Sequence, residues 1–164
     1  MATEYFIKLV YSKIDQKQKQ EHMSLLAYSR YAVNYALDQW VYPVKGTKLL
    51  VFQKLAYAYV FMNRNGRSWK MPTALPFLGI TAWWCEVINP VFPLVAPYHA
   101  PNDELIEAYW KRYPYPQTDV FVPWFNKSAG SSLFGSSVFA DAVKLVHPVI
   151  EEDIFALVPY DTIT

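Results

Sequence analysis

The sequence predicts an α+β fold that is mostly helical. It comprises a long N-terminal helical hairpin, a small antiparallel sheet from the N- and C-terminal strands, and a proline-rich aromatic insertion. Three observations predict it. Apolar residues recur at helical spacing between Leu26 and Trp40. Aromatic and β-branched residues dominate residues 4–12 and return in the tail. Nine of the twelve prolines fall between Met71 and Pro123, where they interrupt regular structure.

Each element follows from its residues. Glu4 to Ser12 (EYFIKLVYS) reads as a strand, because it alternates loosely and is rich in aromatic and β-branched types. Asp15 is an N-cap for the first helix, which Leu26, Val33, Leu37 and Trp40 make amphipathic at steps of seven, four and three. Pro43 and Gly46 end it. A second helix runs from Thr47 to about Asn63, and Asn63-Arg64-Asn65-Gly66 stops it. The short connection makes the pair an antiparallel hairpin. Within the proline-rich block, helices are expected over Phe77–Ile88 and from Asn102 or Asp103 to Tyr113. In the latter, the acids stand early and Lys111 and Arg112 late, as the helix dipole prefers. Asp119–Phe125 is a short edge strand. Ser136 or Ser137 caps a helix to His147, and residues 154–164 form the last strand. The chain is read as one domain, 1–164. Its parts are a strand plus helical hairpin (1–70), a proline- and aromatic-rich insertion (71–127), and a helix plus strand (128–164).

Composition narrows the function. Of the 164 residues, 53% are hydrophobic and 18% charged, which excludes intrinsic disorder. The net charge of +1 is far from that of a general nucleic-acid binder. A single cysteine, Cys85, excludes an internal disulfide framework and paired-cysteine zinc sites. The first ten residues lack the basic start and apolar run of a secretory leader. The longest uncharged stretches, Met71–Cys85 and Val87–Asn102, are too short for a membrane span and broken by proline. The expected location is cytoplasmic, away from any membrane.

The residues that could carry chemistry are dispersed. His22, His99 and His147 have no His, Cys or carboxylate partner at a ligand spacing, save His147 and Glu151 with Pro148 between them. Ser131, Ser132, Ser136 and Ser137 fit no phosphate loop, dinucleotide fingerprint or nucleophile elbow, and serve as a connector and helix cap. Cys85 has no cation nearby in sequence and reads as a small buried hydrophobe. Glu151, Glu152 and Asp153 form a solvated cluster. No catalytic residue, metal ligand or cofactor is implied.

The strongest signal is aromatic. Tyr, Phe and Trp make up 18% of the chain, and tryptophan and tyrosine dominate interface hot spots. The partner-binding set expected from this block is Trp83, Trp84, Trp110, Tyr113, Tyr115 and Trp124. The competing use for any one tryptophan is core filling.

The stretch FIKLVYSKIDQKQKQEHMSLLAYSRYAVNYALDQW resembles the opening of the TnpB transposon nucleases and related type V CRISPR effectors. The resemblance rests on a strand, a Gln-rich helix start, and the Arg-aromatic-x-x-Asn-x-x-Leu pattern at Arg30, Tyr31, Asn34 and Leu37. SLFGSSVFADAVKLVHPVI is similar to a helix of the same lobe, so the likeness spans residues 5–65 and 130–150. It implies a guide-RNA-holding barrel strand with recognition-lobe helices. The family's acidic triad and zinc ribbon are missing, so no catalytic residue carries over.

Three function classes follow. The first is a non-catalytic protein-interaction module, encoded by a phage or mobile element, that inhibits or mimics part of an RNA-guided nuclease in the manner of an anti-CRISPR protein. The alternative is a TnpB-derived domain binding guide RNA or DNA through Lys13, Lys17, Lys19, Arg30 and Asn34. The third is a small enzyme of unknown reaction using His147 or His99 with the serine loop.

Overall fold

The central element is β1 (Phe6–Ile14), a strand buried on both faces over its first half. Alternation sends Phe6 and Val10 to one side and Ile7 and Leu9 to the other, and each set joins a separate apolar cluster. The computed structural model describes residues 3–25, 29–64, 66–91, 103–112 and 137–156.

Around β1 lie β2 (Gln20–Met23), β3 (Trp40–Val41), β4 (Leu49–Phe52), β5 (Phe77–Ile88), β6 (Ser137–Ala140) and β7 (Ala142–Pro148). Their order is β3-β7-β5-β1-β4-β6, with β2 paired to β1, and every pairing is antiparallel. β1 and β5 run together over their full shared length, from Phe6 opposite Cys85 to Ile14 opposite Phe77.

The sheet curls into a small barrel. Asn89 takes a left-handed backbone (φ 52°) and turns the chain at the end of β5. Val91 then exchanges two 2.8 Å backbone hydrogen bonds with Phe139 of β6, whose other neighbour is β4. The bridge thus ties β6 to the chain just beyond β5, so the path β5-β1-β4-β6 comes back to the end of β5, while β3 stays at the edge of the order. Asp141, between β6 and β7, pins the corner. Its amide donates to Ile88, and its carboxylate accepts from Lys48 at 2.6 Å and from Asn89 at 3.0 Å. The Lys48 ammonium, then the Asn89 amide, hold this carboxyl below its ordinary pKa.

Phe6, Val10, Val51, Trp83, Cys85, Val138, Val143 and Leu145 fill the barrel interior, and buried Tyr35 joins them. Outside, α1 (Leu55–Arg64) covers β1 and β4. Leu55, Ala58 and Met62 stand at steps of three and four, face Ile7, Leu9 and Phe52, and are buried with them. α2 (Asp103–Arg112) and α3 (Glu151–Phe155) complete the described elements.

The expected mostly helical fold with a long N-terminal hairpin is therefore replaced by a seven-stranded antiparallel sheet. None of the described residues between 15 and 42 is helical. The apolar spacing there is coincidental, since Leu37 is 41% exposed while the off-stripe Tyr35 is buried. Residues 47–63 split into β4 and α1. Phe77–Ile88 is the long strand β5, because its continuous apolar run serves a strand covered on both faces and carries no helical period. Residues 137–147 are β6 and β7, in which Val143 and Leu145 face inward and Lys144 outward. The sheet is built throughout the chain and not from its two ends. The early strand and the helix at Asp103 are found as expected. The expected edge strand 119–125 and most of the last strand lie outside the described residues, although Ile154 and Phe155 are helical.

Candidate interaction surface

One row of side chains crosses three strands on the outer face. Glu86 of β5 is opposite Lys144 of β7, and Lys144 is opposite Trp40 of β3. Lys144 Nζ lies 2.8 Å from Glu86 Oε2 and 5.1 Å from the centroid of the Trp40 ring. The ion pair, with a further contribution from Asp38 and Tyr5, raises the Lys144 pKa above its ordinary value. The two charges thus neutralise one another beneath the tryptophan.

Aromatic side chains border this pair. Trp40 is 38% exposed, and Tyr42, just past the end of β3, is 63% exposed. Tyr5 is 41% exposed and meets His147 edge-on at 6.4 Å, and His147 in turn lies 6.4 Å from Trp84. A paired charge ringed by exposed Trp and Tyr has the composition of an interface centre, where unpaired charge is depleted and aromatics are enriched.

The interior carries a different arrangement. Ser12 Oγ is 2.6 Å from both His22 Nδ1 and Thr81 Oγ1. Trp83 Nε1 donates to Thr81 Oγ1 at 3.0 Å, and His22 Nε2 is 2.9 Å from Gln20 Oε1. Gln20 Oε1 can only accept, so in the neutral imidazole that burial favours Nε2 donates and Nδ1 accepts, and this sets the direction of the chain. Thr81 accepts from Trp83 and donates to Ser12. Ser12 donates to His22 Nδ1, and His22 Nε2 donates to Gln20. This requires a neutral imidazole, and burial likewise lowers the His22 pKa. A serine beside a histidine resembles a nucleophile and its base. Here the hydroxyl is fully buried and committed at both ends, and an amide stands where a carboxylate would orient the base.

Lys8 is also inside. Its Nζ donates to the Leu50 carbonyl at 2.8 Å and lies 5.4 Å from the centroid of the Tyr35 ring. Burial lowers its pKa to about 8, against a smaller opposing effect of Cys85. Burial pushes the Cys85 thiol up to about 12, which leaves it unreactive.

The residues expected from sequence are placed as follows. Trp83 points inward and is 7% exposed. Trp84 is half-buried, and its Nε1 donates to Asp153 Oδ2 at 3.1 Å. Trp110, on α2, packs against Phe139 with ring centroids 5.0 Å apart and the rings tilted by 51°. Tyr113, Tyr115 and Trp124 lie outside the described residues. Lys13, Lys17 and Lys19 gather at the tip of the β1–β2 hairpin. Arg30 is held against α2 by Glu107, and its backbone amide donates to Asp103 Oδ2. Asn34 bridges to Met23. Trp40, Tyr42 and Tyr5 were not selected by the sequence. For Trp40 the signal was exposure on a strand, which is hidden when that segment is read as a helix.

Comparison with protein-family models, with curated proteins and with solved structures finds no match to this chain.

Proposed function

We propose that this chain is a non-catalytic protein-interaction module whose contact surface is the outer face around Trp40, Tyr42, Tyr5 and the Lys144–Glu86 pair. The observation that carries this reading is the separation of the aromatic face from the lysine cluster at the β1–β2 tip. Lys13 stands opposite Leu78 and Lys144 opposite Glu86, eight residues apart along β5, or about 26 Å. Single-stranded nucleic acid is bound by aromatics interleaved with a basic track, and the two are apart here. The lysine on the aromatic face is already paired with Glu86.

The partner is a cytoplasmic protein. An RNA-guided nuclease of the TnpB and type V class is the first to test, on the resemblance at Arg30, Tyr31 and Asn34, with the chain acting as a mobile-element inhibitor. Among the described residues, no helix is long and apolar enough to cross a membrane.

Site-specific photo-crosslinking to a panel of such purified nucleases tests the reading. A crosslinker at Tyr42 should capture the partner and one at Lys17 should not. Capture should survive nuclease digestion, and Trp40→Ala should weaken binding by about tenfold or more. Capture at Lys17 that weakens steeply with salt replaces this reading with nucleic-acid binding. No capture from any position rejects the nuclease partner.

A further inference from the structure

We propose that a separate pocket at the far end of the barrel binds a small aromatic acid, with the ring inside and the carboxylate at the mouth. It shares no lining residue with the Trp40 face.

The pocket forms because the lower edge of β5 is only partly covered. The Lys70 amide donates to the Ile80 carbonyl, and the Val149 amide donates to the Ala82 carbonyl, both at 2.9 Å. Residues 69–72 and 148–149 thus bracket β5 and leave a gap of about 120 Å³ between them. A dry cavity of roughly 150 Å³ holds benzene, so this smaller, partly open space takes at most one six-membered ring.

The walls select the ligand. Trp69, Trp83, Met71 and Pro148 offer aromatic and apolar surface, which suits a planar ring. His22 and Thr81 also line the pocket, but their hydrogen-bonding atoms are engaged in the directed chain described above. That leaves Gln20 and Lys70 among the polar lining residues. Gln20 gives its Oε1 to His22, and its amide N–H groups take no part in that bond. Lys70 is the one charged side chain among the described lining residues, His22 being neutral. A donor amide and a cation lining the same aromatic pocket complement an anion carried by a ring.

The test uses the full chain with three probes: benzoate, benzamide and cyclohexanecarboxylate. Binding is read by NMR at the indole N–H signals of Trp69 and Trp83 and at the His22 ring. Benzoate should give saturable shifts at these three residues and bind more tightly than either other probe. Lys70→Gln changes an exposed residue, so the fold persists. It should weaken benzoate about three- to fivefold and leave benzamide unchanged. Equal binding of benzoate and benzamide overturns the acid. Equal binding of cyclohexanecarboxylate overturns the aromatic ring. Absence of saturable shifts at Trp69 and Trp83 overturns the site.

Discussion

Ser12 Oγ lies 2.6 Å from His22 Nδ1 in the interior of the protein. The serine is fully buried, so it cannot exchange this partner for water. Its second bond, to Thr81, links it to the Trp83 indole, and the four side chains satisfy one another in sequence. Such a network should behave as a unit, because removing one member leaves a buried neighbour unpaired.

Ser12→Ala leaves His22 Nδ1 without a donor and should cost about 2 kcal/mol. Thr81→Val leaves the Trp83 N–H without an acceptor and should cost a similar amount. The double variant should lose less than the sum of the two, by about 1 kcal/mol, since much of the network is already broken in each single variant. Urea denaturation of the four proteins measures this coupling. Strict additivity would show that the hydroxyls act independently.

The same chain predicts a pH dependence. His22 is neutral in the folded protein, and burial places its pKa below the ordinary 6.5. Below pH 6.5 the unfolded chain takes up a proton that the folded chain refuses, so the unfolded state binds more protons and stability rises with pH. The contribution is fully present above 6.5 and is lost as pH falls from 6.5 through the lower folded value. The slope should approach about 1.4 kcal/mol per pH unit at most. Comparing denaturation curves of the native chain and His22→Gln between pH 7 and 5 checks it. A slope that persists in His22→Gln assigns the effect to other groups.

How much of this was legible in the sequence depends on which physical signal each segment carried. β1 was legible because nothing else explains an aromatic, β-branched opening. α2 was legible because its charges follow the helix dipole, and Asp103 indeed stands at its start, accepting from Ser29 at 2.6 Å. β5 was not legible, because its apolar run is nearly continuous from Phe77 to Cys85 and has no alternation to read. Trp83 and Trp84 show the consequence: adjacent in sequence, they face opposite sides of the sheet, one into the barrel and one toward α3. The polar chain was invisible for another reason. Ser12, His22 and Thr81 meet only through the pairing of β1 with β2 and β5.

Asp15 shows how a correct chemical signal can be attached to the wrong backbone. Its carboxylate accepts from the backbone amides of Lys17 and Lys19, both at 2.9 Å, as a helix N-cap would accept from the residues after it. Gln18 adopts φ 66° and the chain turns back, so the same acceptor closes a β-hairpin. Asp15→Ala should cost about 1 kcal/mol, and Asp15→Asn less, since the amide oxygen still accepts. Hydrogen exchange at the Lys17 and Lys19 amides should speed up in the alanine variant. Unchanged exchange would mean that the turn is held by its backbone bonds alone.

Lys8 yields the last prediction, and it runs against the usual direction of core mutations. An amine with a pKa of about 8 instead of 10.5 is charged at pH 7 in a place that disfavours charge. The difference corresponds to about 3 kcal/mol. Lys8→Met keeps the apolar stem and removes the charge, but it leaves the Leu50 carbonyl without its donor, a loss of about 1 kcal/mol. The variant should therefore be more stable than the native chain at pH 7, by about 2 kcal/mol. The advantage should shrink with rising pH. Between 8 and 10.5 the unfolded chain holds the Lys8 proton and the folded chain does not, so native stability climbs through that window while the methionine variant lacks the rise. By pH 10.5 the two proteins should have nearly equal stability, with the lost hydrogen bond tipping the balance to the native chain. Urea denaturation of both at pH 7, 9 and 10.5 decides the matter, and a methionine variant less stable at pH 7 would show that the Leu50 hydrogen bond and the Tyr35 ring outweigh the cost of burying the ammonium.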